Sequence, residues 1–260
     1  MTKHDSSDKP TLVFLHGWGL NRAVWPQALR DAVQAWPTLW LDLPGFGERA
    51  ASTTPADLAS WTDLLAQDIP KRSIVLGWSL GGMVAIDLAL RYPDKVCALG
   101  LIASSPCFLA HDGWPGMKAT VMGQFAAALR EDTALTVDRF LAIQAMGSAT
   151  ARHDIKLLRD AVASLPPPAL AALQGGLAIL EQADLRSQLK DLQIPVFGCY
   201  GRLDTLVPAA VLEPLQQLLP QAQFSLFAKA SHAPFISHPA EFQHWLSQQL
   251  ALLISTDCKD

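Results

Sequence analysis

Gly77-Trp78-Ser79-Leu80-Gly81 sets a serine between two glycines, after an apolar, β-branched run (Ser73 to Leu76) and before a helix-forming one (Met83 to Leu90). A strand that turns sharply into a helix at such a serine lifts the hydroxyl to the carboxyl edge of a sheet. Gly77 and Gly81 suit the points where the strand and helix backbones nearly touch. The same pentapeptide also occurs as an ordinary loop, so its meaning depends on what accompanies it. A serine hydroxyl is a weak nucleophile near neutral pH. It needs a base to take its proton, a third group to orient that base, and donors for the oxyanion that forms. Asp204, in Gly201-Arg202-Leu203-Asp204, follows one apolar run, and His232, in Ala230-Ser231-His232-Ala233-Pro234, follows the next. Serine, then acid, then histidine, each at the end of a run, is the chain order a triad on a parallel sheet requires.

Other residues compete for these roles. His238 stands just ahead of the last helical stretch, where it or Ser237 can cap that helix. His16 and Asp42 follow earlier runs but lie upstream of Ser79, which breaks the order; Asp42 can instead brace the Gly45/Gly47 turn. His4, His111, His153 and His244 look like surface residues, and Glu181 and Asp184 precede a run rather than follow one. No two histidines share a metal-ligand spacing on one helix, so neither a metal nor another cofactor is expected. Two backbone N–H groups are expected to form the oxyanion hole. One belongs to Leu80, next to the serine, and the other to Trp18 in His16-Gly17-Trp18-Gly19, at the end of the first apolar run.

These residues need a sheet to hold them. Apolar runs at Thr11–Leu15, Thr38–Leu41, Ser73–Trp78, Val96–Ala103, Pro195–Tyr200 and Gln223–Phe227 predict strands. Helical spacing at Val24–Ala35, Asp57–Leu65, Met83–Leu90 and Pro239–Leu253 alternates with them, which predicts a parallel sheet covered on both faces. The alternation fails between Cys107 and Asp184, where three or four amphipathic helices follow one another. The expectation is an α/β core of residues 1–107 and 184–260, with a helical cap, 108–183, inserted between two late strands over the carboxyl edge.

Composition agrees with a single large domain. Of the 260 residues half are hydrophobic and 17% charged, which supports a sizeable core and argues against disorder. A net charge of −4 argues against a protein that coats nucleic acid. The first ten residues are polar, without the apolar centre of a signal peptide, and no run of about 18 apolar residues predicts a membrane span. The four cysteines (Cys97, Cys107, Cys199, Cys258) contain no Cys-x-x-Cys pair and read as thiols of a reducing compartment. A cytoplasmic monomer is the expectation.

With these segments in view the chain resembles the α/β-hydrolase superfamily. More narrowly it resembles the BioH family, the pimeloyl-acyl-carrier-protein methyl ester esterases of biotin biosynthesis. The resemblance is carried by Leu15-His16-Gly17-Trp18-Gly19, Asp42-Leu43-Pro44-Gly45-Phe46-Gly47, Gly77-Trp78-Ser79-Leu80-Gly81-Gly82 and Ala103-Ser104-Ser105-Pro106-Cys107-Phe108. Arg139-Phe140-Leu141-Ala142, Gln174-Gly175-Gly176-Leu177 and the stretch from Phe227 to Pro239 add to it. The short stretch ahead of the first strand departs from the superfamily pattern, as if one or two leading edge strands were absent. The resemblance implies hydrolysis of a methyl ester on a pimeloyl chain borne by acyl carrier protein, with Trp18, Ser79, Leu80, Phe140, Leu141, Ala142, Ile143, Gln144 and His232 touching substrate. Phe140 and Ile143 either line an apolar passage to Ser79 or are plain cap core.

An acidic carrier asks for a basic face. Arg152, Lys156 and Arg159 share one side of a cap helix, with Arg139 nearby; the alternative is a solvated surface paired to Asp154 and Asp160. Two rivals remain at this level. One keeps the chemistry on another substrate, as a short-chain carboxylesterase, thioesterase or C–C hydrolase. The other is a hydrolase-fold ligand-binding protein with little turnover.

Overall fold

A computed structural model describes residues 9–52 and 55–255; His4 and Cys258 lie outside them. In chain order, β1 is Leu12–Leu15, α1 Gln27–Ala32, β2 Thr38–Leu41, α2 Leu58–Ala66, β3 Ser73–Trp78, α3 Leu80–Arg91 and β4 Val96–Ile102. Four helices follow: α4 Ala119–Glu131, α5 Thr133–Gln144, α6 Ala151–Ala163 and α7 Leu170–Gln182. Then come β5 Val196–Gly201, α8 Leu212–Leu218, β6 Gln223–Phe227, α9 Pro234–Ser237 and α10 Pro239–Ser255. The six strands form one sheet in the order β2-β1-β3-β4-β5-β6, and every pairing is parallel. Among the described residues no strand precedes β1.

Burial follows position in the sheet. Every residue of β1, β3 and β5 is buried, whereas the two edge strands are only partly so. The chain moves one way from β1 to β2 and the other way from β2 to β3. Right-handed crossovers therefore send α1 to one face and α2 and α3 to the other. α1 packs with α10, and α2 with α3. The direction reverses at β1, and open α/β sheets bind ligands at the carboxyl ends of the strands beside such a reversal, here β1 and β3.

The helix predicted over Val24–Ala35 is shorter. Pro26 pushes Trp25 into an extended conformation (φ −75°, ψ 113°), so a single 3₁₀ turn, Arg22–Val24, ends there and α1 starts afresh. α2 begins one residue later than predicted because Asp57 is its cap, its carboxylate accepting from Ser60 N–H at 2.8 Å. The helices α4–α7 lie between β4 and β5. The chain enters them at Cys107 and leaves at Asp184, two residues that face each other in an antiparallel bridge, and Leu185 N–H donates to Pro106 O at 2.9 Å. α6 packs on the Arg22–Val24 turn, where Asn21 donates to Ala161 O at 2.9 Å. None of Cys97, Cys107 and Cys199 is in a disulfide. Among the described residues no helix is long and apolar enough to cross a membrane.

Candidate active site

Ser79 joins β3 to α3 with φ 55° and ψ −120°, a conformation that side chains other than glycine's strain to adopt. Several bonds impose it. Its N–H donates to Ile102 O at 3.0 Å, and its carbonyl accepts from Gly82 N–H at 2.9 Å and from Ser104 Oγ at 2.7 Å. Tyr200 OH holds Ser104 in turn, donating to its carbonyl at 2.8 Å. The two glycines are a matter of space. A Cβ on Gly77 would lie 2.5 Å from Gly82 Cα, and one on Gly81 would lie 2.6 Å from His16 O.

Asp204 and His232 arrive from the loops after β5 and β6. Asp204 Oδ2 accepts from His232 Nδ1–H at 2.7 Å, and Oδ1 accepts from the N–H groups of Leu206 (2.8 Å) and Val207 (3.0 Å). Both side chains are buried, so the carboxylate is held by three donors and in turn fixes the imidazole tautomer. Among the described residues His232 Nε2 is left with its lone pair and no partner; Ser79 Oγ, also buried, has none either. The backbone of His232 is gripped from both sides. Its carbonyl accepts from the Trp78 indole N–H at 2.8 Å, and its N–H donates to Gln144 O, at the end of α5, at 3.2 Å. Ser231 Oγ donates to Met146 O at 2.8 Å. The Trp78 ring lies 5.7 Å from the imidazole and edge-on to Phe235 at 4.9 Å.

Leu80 is the first residue of α3, so its N–H has no partner within the helix. The Trp18 N–H meets no acceptor among the described residues. The Trp18 indole donates to Leu173 O of α7 at 2.8 Å and meets Phe140 edge-on at 4.8 Å. α7 can come this close only because residue 176 is glycine: a Cβ there would lie 2.7 Å from Trp18 Cδ1 and 3.1 Å from Leu80 Cδ2.

His16 and Asp42 take no part in the Asp204–His232 bond and shape neighbouring loops. His16 Nδ1–H donates to Gly17 O at 2.8 Å, and Nε2 accepts from Leu43 N–H at 3.0 Å, which suits a neutral ring. Burial pushes its pKa down to about 4, outweighing the pull of Asp42 and the Gly17 carbonyl. Asp42 accepts from Arg22 N–H at 2.6 Å and Glu48 N–H at 3.0 Å, the brace expected of it. His238 Nδ1 shares a hydrogen bond with Ser237 Oγ at 2.9 Å, and its carbonyl accepts from Phe242 N–H in α10. His111, His153 and His244 are exposed.

The segment from Phe140 to Gln144 divides. Phe140 and Ile143 line a cavity of about 360 Å³ together with Phe108, Phe125, Leu177 and Leu206. Ser79 is not in its wall; the cavity adjoins the site through Phe140, on Trp18, and through Leu206, which bonds Asp204. Leu141 turns to a second cavity of about 390 Å³ between α5 and α6, and half-buried Ala142 lines neither. Gln144 is buried and both polar atoms of its amide have no partner among the described residues, a costly state unless something else binds there.

The four basic cap residues are exposed, in two states. Arg139 and Arg152 form no ion pair among the described residues. Lys156 Nζ pairs with Asp160 at 2.5 Å, and Arg159 makes a two-pronged bond to Asp138 at 2.6 and 2.8 Å. Asp154, expected to pair with this face, is buried and accepts from Ser148 and Thr150 instead.

The grip on His232 by Trp78 and Gln144 was not foreseen from sequence. Neither was the convergence of Cys107, His111 and Asp184, whose donor atoms all lie within 4.8 Å of one another. Trp78 and Gln144 are far from His232 in the chain, and Asp184 is far from Cys107 and His111.

A family model described as alpha/beta hydrolase fold matches residues 10–239. Among solved structures, an esterase from Exiguobacterium antarcticum superposes with a TM-score of 0.79 at 21% identity, covering 93% of this chain and 92% of that one. A thermophilic esterase from Thermogutta terrifontis gives 0.78 at 23%, covering 93% and 89%. A hydrolase from Pseudomonas aeruginosa gives 0.74 at 25%, covering 94% and 91%.

Proposed function

Because the chain belongs to the alpha/beta hydrolase fold family, we propose that it is a serine hydrolase of carboxylic esters. The observation that carries this is the buried Asp204–His232 bond, together with two buried reactive atoms, Ser79 Oγ and His232 Nε2, that have no partner among the described residues. In the proposed reaction His232 Nε2 takes the Ser79 proton as Oγ bonds to the ester carbonyl carbon. The N–H groups of Trp18 and Leu80 hold the oxyanion. The imidazolium returns the proton to the departing alcohol, and water deprotonated by His232 then cleaves the acyl-enzyme. Asp204 orients and stabilises the imidazolium. The cycle starts from neutral His232.

As substrate we propose the methyl ester of a pimeloyl chain on acyl carrier protein. The apolar cavity lined by Phe140 and Ile143 and the unpartnered Gln144 amide support a flexible chain with a polar group, and exposed Arg139 and Arg152 support an acidic carrier. Lys156 and Arg159 would join by exchanging Asp160 and Asp138 for carrier carboxylates, an exchange of exposed pairs that are individually weak. A general short-chain carboxylesterase is the second reading, favoured by the esterases among the structural neighbours.

The test has three arms. Fluorophosphonate should label Ser79 in folded protein; absence of labelling sinks the hydrolase reading. The carrier-bound methyl ester should then be hydrolysed with a lower KM than small methyl or p-nitrophenyl esters. Equal KM values favour the general esterase. Last, the gene should restore biotin-independent growth to a host lacking this esterase, and Ser79→Ala should abolish the rescue.

A further inference from the structure

We propose that Cys107, His111 and Asp184 form a binding site for a zinc-class divalent ion at the root of the cap, separate from the hydrolytic site. One sulfur, one ring nitrogen and one carboxylate oxygen converge within 4.8 Å. Thiolate, imidazole and carboxylate together suit zinc rather than magnesium or calcium, which prefer oxygen alone. Bonds of about 2.0–2.3 Å to a tetrahedral ion would set the donors about 3.3–3.8 Å apart. Closing from 4.8 Å takes at most about 1.5 Å, a movement open to His111 and Asp184, both exposed.

The donors are held from behind. Cys107 and Asp184 face each other across the bridge where the chain enters and leaves the cap. His111 sits on a tight hairpin, exchanging backbone bonds with Trp114 at 3.1 and 3.0 Å. The Trp114 indole donates to Cys107 O at 2.9 Å, and the Arg186 guanidinium lies over the same indole at 5.2 Å. Arg186 also orients Asp184: its backbone N–H and Nε reach Oδ1 at 3.1 and 2.8 Å, and a terminal nitrogen reaches Oδ2 at 2.6 Å. Oδ2 therefore keeps one lone pair for an ion, while the guanidinium plays the supporting part that carboxylate ligands of metals usually have. A surface depression of about 540 Å³, lined by Trp114, Asp184 and Arg186 among others, opens beside the Asp184 donor. On binding, the Cys107 S–H passes its proton to buffer as the sulfur–metal bond forms. No electrons move. The ion would staple the two strands from which the cap hangs.

The full chain, stripped with a chelator, is titrated with Co²⁺ alone and then with Zn²⁺ against a chromophoric chelator. One Co²⁺ per chain with a thiolate-to-cobalt charge-transfer band is expected. His111→Ala should weaken Zn²⁺ binding at least about tenfold. Cys107→Ser should abolish the band, and Cys97→Ser should leave it. A wild-type chain without the band, a band that survives Cys107→Ser, or unchanged Zn²⁺ affinity in His111→Ala would each overturn the proposal.

Discussion

One proton on His16 would turn the acceptor of the Leu43 N–H into a second donor facing the first, inside a fully buried site. The folded protein resists that proton down to about pH 4, whereas the unfolded chain takes it up near 6.5. Between those values the unfolded state binds more protons, so acid favours unfolding. The contribution is complete above about pH 6.5, shrinks as pH falls, and is gone once pH drops below about 4. At about 1.4 kcal/mol per pH unit the whole interval is worth about 3 kcal/mol, and about 2 kcal/mol of it is lost by pH 5. Carboxylates titrate in the same range, so the measurement must be a difference. Urea unfolding of the wild type and of His16→Gln, whose side-chain carbonyl can still accept from Leu43, is followed at pH 7.5 and pH 5. The wild type should lose about 2 kcal/mol more than the variant. Equal losses, or an imidazole resonance of His16 titrating near 6.5, would refute the reasoning.

Four further substitutions test the site. Ser79→Gly and Ser79→Ala both remove the hydroxyl, but only glycine relieves the φ of 55°. Ser79→Gly should be more stable than Ser79→Ala by about 1 kcal/mol after glycine's own entropy cost, and identical melting temperatures would show that the turn is unstrained. Trp78→Phe keeps a ring but strands the buried His232 carbonyl, at a cost of about 1–3 kcal/mol, and should slow fluorophosphonate labelling of Ser79 at least about tenfold. An unchanged rate in folded variant would mean that the indole hydrogen bond does not position the base. Gly176→Ala should force α7 off Trp18 and Leu80, lowering kcat for a small ester while circular dichroism stays native; an unaltered kcat would show that the helix can yield without disturbing the two N–H groups.

The strands and the elbow were legible because their causes are local. β1, β3 and β5 are buried on both faces and read as continuous apolar runs, and Gly77 is demanded by contacts made within a few residues, while Gly81 answers to the backbone of Leu15 and His16 at the end of β1. The order Ser79, Asp204, His232 was legible because strand ends fall at one edge of a parallel sheet. Local signals failed where a short-range effect was overlooked: Pro26 splits the first helix. They failed also where the cause was tertiary. Arg159 found Asp138 on the neighbouring helix instead of a carboxylate on its own, and buried Asp154 turned to Ser148 and Thr150. Gln144 and Met146 reach the His232 loop only because the cap folds over the edge of the core. Periodicity carries no trace of such contacts.

The carbonyls of Gln144 and Met146 bear on how such proteins can be recombined. A cap between two strands invites exchange, since cutting at Cys107 and Asp184 leaves the sheet, Ser79, Asp204 and His232 in the recipient. Yet the recipient's histidine would lose the backbone acceptor that seats its N–H, and its neighbour Ser231 would lose a second. A transplanted cap can therefore bring a new pocket and still leave the proposed base adrift. A chimera that keeps this seat must carry its own pair of carbonyls at the end of the helix equivalent to α5, which makes the cap a support for the His232 loop and not an interchangeable lid.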